Sequence, residues 1–168
     1  MKRLIIVLLM LSSVCVYGQD FLDKVNFGEN GEEISRVIKN CKENPIQVFI
    51  PVEATEDEIK SDSVMKIGLW YLVGQNCFLE DNDKNILCNS LIHNYHSYEG
   101  GMAHYSSEHI PVMGFILTDG KDTVQVMFAF SDMEWTVHYN GYTVFHERFT
   151  EKMKIDGMYR WFMLKYFT

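Results

Sequence analysis

The chain changes its hydrophobic period midway. In the front half apolar residues recur at Ile34, Val37, Ile38 and Cys41, the spacing that lines one face of a helix, after a break at Glu29-Asn30-Gly31. Asn44-Pro45 predicts the stop of that helix, because the proline ring pushes the preceding residue out of helical backbone. A short strand over 46–50 is expected next. The run from Val64 to Val73 is apolar without a clean period and fits a helix or a buried strand equally well. Asp83 is placed to cap a further helix, with Leu87, Cys88, Leu91, Ile92 and Tyr95 as its apolar stripe and Asn85, Asn89, His93 and His96 on the opposite face.

The back half reads as strands. Val112 to Thr118 and Thr123 to Phe130 flank the turn residues Asp119-Gly120-Lys121-Asp122, and Val124, Val126, Phe128 and Phe130 alternate onto one face. Trp135 to Tyr139 and Tyr142 to His146 flank Asn140-Gly141, the dipeptide that supplies the positive φ angles of a type I′ turn. Such a two-residue loop pairs Tyr139 with Tyr142 and Val137 with Val144. Phe145, Phe149 and Met153 can continue as a helix, while the aromatic-rich stretch Met158 to Phe167 reads as a closing strand. The sum predicts an α+β fold, N-terminal helices packed on one face of a C-terminal antiparallel β-meander. That layout hosts binders and enzymes alike, so activity must be argued from residues.

The amino terminus adds a location. Met1, Lys2 and Arg3 form a basic start, Leu4 to Leu11 an unbroken apolar run, and Val16-Tyr17-Gly18 a small-residue cleavage site before Gln19. This predicts a signal peptide over 1–18 and a single domain over 19–168, secreted or periplasmic. Ser12-Ser13 interrupts the apolar run short of the roughly 18 residues a membrane anchor needs. Ser12-Ser13-Val14 also matches a lipidation signal for Cys15 poorly.

Charge narrows the partners. The chain carries 15 basic and 23 acidic side chains; cleavage removes Lys2 and Arg3 and no acid, so the mature charge goes from -8 to -10. A strongly anionic chain is repelled by phosphate backbones and anionic lipid, which argues against nucleic acid and against stable membrane insertion after signal removal. Residues 19–62 hold 11 acids and five bases, whereas 135–168 hold three acids and five bases, so the charge is lopsided. Export also permits disulfides, and Cys41, Cys77 and Cys88 allow one bridge among three pairings.

Candidate chemistry is sparse. His93, His96, His104 and His109 lie close together with Glu99 and Glu108, and two histidines three apart on a helix can reach one ion. The spacing matches no zinc signature. Asp81, Asp83 and Asn85 begin a calcium-loop pattern that fails at Ile86, where glycine is needed, and at Ile92, where a bidentate Glu belongs. Gly114 to Lys121 has the wrong glycine spacing for a phosphate loop, no Gly-x-Ser-x-Gly elbow is present, and Cys88 belongs to an apolar stripe that faces away from His93 and His96. No cofactor is expected. The run Glu53, Glu56, Asp57, Glu58 and Asp62 sets five carboxylates against Lys60 and must be largely solvated, which makes it the candidate binding surface. The aromatic density of the last 34 residues is the other distinctive feature. The expected function is a non-catalytic exported binding protein, an inhibitor or immunity-type protein recognising a protein partner. The alternatives are a metal-dependent enzyme using the His93 to His109 segment and a carrier of an apolar small ligand.

Overall fold

The structure is a computed structural model that describes residues 22, 25–60, 65–68, 71–92, 110–130, 134–148 and 152–168. The signal peptide over 1–18, Asp62, Tyr95, the His93 to His109 segment and Phe149 lie outside the described residues.

Helix α1, Gly31–Asn40, sits between 3-10 turns at Gly28–Asn30 and Cys41–Glu43. It buries Ile34, Val37 and Ile38, the stripe its periodicity predicts. Each such side chain, fully buried, contributes about 1.5–3 kcal/mol. Strand β1 runs over Gln47–Glu53 and leads into the short helix α2, Glu56–Lys60. The ambiguous stretch that follows is extended: β2, Lys66–Ile67, turns at Gly68 and pairs with β3, Tyr71–Phe78. Helix α3 spans Asp81–Ile92 and buries Leu87, Cys88 and Leu91 while Asn85 and Asn89 face solvent. Strands β4, Pro111–Thr118, β5, Thr123–Ala129, β6, Glu134–Tyr139, and β7, Tyr142–Arg148, follow, and helix α4 covers Lys152–Tyr166.

The seven strands among the described residues belong to one antiparallel sheet in the order β2-β3-β1-β4-β5-β6-β7. The fold is therefore α+β, but its helices are not gathered at the N-terminus: α3 interrupts the strands and α4 ends the chain. The meander holds for β4 to β7, whereas β3 comes back beside β1 on the far edge.

Three further expectations need correction. The stretch Met158 to Phe167 is mostly helix, because Ile155, Met158 and Phe162 recur three and four apart and bury one face against the sheet. Asp83 is not a cap: it lies inside α3, and Glu80 accepts the first helical N–H bonds, from Asp83 and Lys84. Tyr139 does pair with Tyr142, but Val137 faces Phe145 rather than Val144, since a bulge inserts one residue into β7.

Residues of α1, α3 and α4 share one core with Val48, Phe115, Leu117, Val126, Trp135 and Val137 of the sheet. Phe115 meets Phe128 and Phe162 edge-on at 6.0 and 5.7 Å, and Phe128 stacks on Trp135 at 6.0 Å. The opposite sheet face is not simply solvated. Ile67 of β2 and Met127 of β5 stand four places apart in the sheet, yet both join Phe49 in a second small cluster. The sheet must roll to bring them together, and it is nearly barrel-shaped.

Candidate functional site

Rolling the sheet creates two features that no single strand contains: an acidic flap at one edge and a polar row on the inner face.

The flap begins where β1 leaves β4. Their ladder covers Gln47 to Phe49 and stops, while β1 stays paired with β3 as far as Glu53. The cause is local. Pro51 and Pro111 carry no N–H to donate, so neither strand can continue the ladder there. Freed from β4, the end of β1 stays paired with β3, whose partner β2 turns back across the roll toward β6, and it leads into α2. Thr55-Glu56-Asp57-Glu58 is a capping box. The Glu58 carboxylate accepts from the Thr55 N–H at 3.0 Å and from its hydroxyl at 2.7 Å, while the Glu58 N–H donates back to Thr55 Oγ1 at 3.4 Å. These bonds hold the Glu58 carboxyl below the usual carboxylate range, the backbone N–H first and the hydroxyl second.

Of the five predicted carboxylates, Glu58 is thus committed to its own helix, and Asp62 lies outside the described residues. Glu53, Glu56 and Asp57 are exposed, and no hydrogen bond or ion pair holds them among the described residues. Exposed apolar side chains share this part of the fold: Val52, next to Glu53 in β1, is 48% exposed, and Met65, across β3, is 55% exposed. Met65 is tied to the same flap by the Val73 N–H, which donates to its carbonyl at 3.1 Å. Other carboxylates are spent on the fold. Asp119 and Asp122 receive Arg36, Asp81 receives Lys84, Asp156 receives Arg160, and Glu80 and Asp83 share Lys165.

The inner row lies on β6 and β7. Glu134, Thr136 and His138 alternate with the core residues Trp135, Val137 and Tyr139, so they face the inside of the roll. All three are buried. His146 Nε2 lies 2.6 Å from Glu134 Oε2. His138 bonds through both ring nitrogens, Nε2 to Thr136 Oγ1 at 2.9 Å and Nδ1 to Thr143 Oγ1 at 3.2 Å, which fixes its ring. The β7 bulge makes this possible. Thr143 and His146 are three apart and would otherwise point to opposite faces; the extra residue puts both on the face of His138 and Glu134. Gly68 closes the row from the flap side. Its backbone is left-handed, at φ 57°, and a Cβ there would meet His138 Nδ1 at 3.0 Å. Sequence reasoning took the apolar half of the β6 alternation and passed over the polar half, which was equally visible.

A carboxylate beside an imidazole orients the ring for hydrogen bonding or proton transfer. Among the described residues, no group of three His, Cys, Asp or Glu is placed to share a metal ion, and the four predicted histidines fall outside them. The Asp81 to Asn85 stretch is helical, with Asp81 paired to Lys84 at 2.7 Å.

Asp83 clasps α3 to α4. It accepts from Trp161 Nε1 at 2.9 Å, from Lys165 Nζ at 2.7 Å and from the Tyr166 hydroxyl. Burial pushes its carboxyl up, but Lys165, Tyr166 and Trp161 together outweigh that and hold it below its ordinary value. This cluster and the Arg36 contacts are internal fastenings. A surface depression of about 740 Å³ lies along α1, lined by residues such as Asn26, Glu29, Glu32 and Arg36.

Among the described residues no helix is long and apolar enough to cross a membrane. No family model, curated protein or solved structure matches the chain.

Proposed function

We propose that the chain is an exported, non-catalytic binding protein, of the inhibitor or immunity type, that recognises a protein partner through the acidic flap. The observation that carries this reading is the occurrence of Glu53, Glu56 and Asp57, which have no partner among the described residues, with exposed Val52 and Met65 on the same flap. Exposed apolar side chains accompanied by like charges fit the make-up of a recognition patch, in which contact area gives residence time and charge gives steering. The partner is a protein presenting a cationic surface around an apolar contact.

The test is placement of a photo-crosslinking amino acid at Val52 in the exported chain, with Ile86 on the exposed side of α3 as the control site. The expected outcome is one protein adduct at position 52 and none at position 86. Equal labelling at both sites, or no adduct at 52, would remove the flap from consideration.

A further inference from the structure

Cys41, in the 3-10 turn after α1, and Cys88, in the middle of α3, are 47 residues apart in sequence and meet in the core. Their sulfurs lie 2.8 Å apart. Non-bonded carbon atoms rest at about 3.5–4.0 Å, and a disulfide closes at about 2.05 Å, so the two thiols stand between contact and bond. Both are buried, at 0% and 3% exposure. Cys77 is elsewhere: it lies on β3 opposite Val48, and no sulfur partner reaches it among the described residues.

We propose that Cys41 and Cys88 are a disulfide-forming pair that pins the end of α1 to α3, and that Cys77 remains the free thiol. The pairing rests on the placement of these two residues and stands whether or not the acidic flap binds a partner.

The electron acceptor is an external disulfide, the class of oxidant that export compartments supply. With Cys88 first, its thiolate attacks one sulfur of that disulfide, expelling one thiol and leaving a mixed disulfide. Cys41, losing its proton, then attacks Cys88 Sγ and expels the second thiol. Two thiols are oxidised and one external disulfide becomes two thiols, which carry away both protons. Either cysteine can make the first attack while α3 is open, and in the closed core the two thiols differ. The bond from Cys41 lowers the Cys88 thiol, against the opposing effect of burial, and Lys42 and Lys84 add to the lowering; Cys41 is raised, by its bond to Cys88 and by burial. Because the folded core hides both sulfurs, the bond forms while α3 is still closing onto α1.

Such a link removes freedom from a long loop of the unfolded chain. The experiment is to refold the reduced full chain, carrying Cys15→Ser, in a buffer of reduced and oxidised glutathione. Acid quenching, alkylation in denaturant and peptide mapping then read the thiols. The expected result is a species carrying one alkyl group where the reduced chain carries three, with the peptides of Cys41 and Cys88 joined and Cys77 alkylated. Adding Cys77→Ser should leave that link intact, and the oxidised form should melt about 5–15 °C above the reduced one. Full alkylation of Cys41 and Cys88, a link through Cys77, or bridges between molecules would overturn the assignment.

Discussion

Asn140 and Gly141 adopt φ 51° and 80°, the two positive angles that a type I′ turn requires, and they join β6 to β7 with Tyr139 facing Tyr142. Nothing lies within 4 Å of a Cβ built on Gly141, so a side chain there meets no obstacle and the cost of replacing it is conformational. Gly141→Val should therefore destabilise the protein by about 1 kcal/mol or more, and Gly141→Ala by less, as read from thermal midpoints. Asp119 works at the same scale in the neighbouring hairpin. It accepts the N–H groups of Lys121 at 2.9 Å and Asp122 at 2.8 Å, and its other oxygen receives Arg36 Nε at 2.7 Å. The Asp122 N–H, then Arg36, then the Lys121 N–H hold its carboxyl well below the usual range. A carboxyl whose folded value is depressed adds stability above its unfolded value, and that contribution is lost as pH falls toward the folded one. Asp119→Asn keeps the turn bonds and drops the charge. The variant should melt below the parent at pH 7, with the gap narrowing steadily below about pH 4, near the unfolded value. The dipeptide and the turn aspartate were legible because their partners are within a few residues. The bulge at Val144 was not, since its reason is His138 and Glu134 on another strand.

At the scale of elements, the sequence misleads where residue type and spacing disagree. Met158 to Phe167 is rich in aromatics, which favour strands, yet the spacing of Ile155, Met158 and Phe162 is helical and spacing decides, because only a helix sets those three on one face. The Val64 to Val73 run had no period because it is not one element: β2, a turn and the start of β3 share it. Asp83 has the composition of a cap and serves instead as an acceptor for three side chains of α4, a contact 78 to 83 residues away in sequence. The fit of β1 against β4 depends on one missing side chain. Phe49 faces Gly114, and a Cβ on Gly114 would stand 2.2 Å from Phe49 Cζ, so the ring occupies the space over the glycine. Gly114→Ala should destabilise by about 1–3 kcal/mol through overpacking, measured by denaturant unfolding, and Phe49→Leu in the same chain should recover part of the loss.

For the whole molecule, the roll of the sheet turns separate segments into neighbours. It brings Gly68 of the flap against His138 and gathers the inner row, and neither contact is encoded by nearby residues. The acidic run was legible as a solvated segment; its place on a flap beside exposed Val52 and Met65 was not, because β3 precedes β4 in sequence but pairs beyond β1. The same holds for Cys41 and Cys88, one of three pairings that composition left open. The central claim is that the flap steers a cationic protein. Steering acts on the association rate and fades as salt shortens the Debye length from about 10 Å at 0.1 M to about 3 Å at 1 M. Glu53, Glu56 and Asp57 can all be replaced by Ser without touching the Glu58 cap. The deciding measurement is the association rate of this triple variant and of the parent with the protein captured at Val52. The account predicts a rate about tenfold lower for the variant at 0.1 M salt, convergence of the two at 1 M, and an unchanged melting temperature; equal rates at 0.1 M would contradict it.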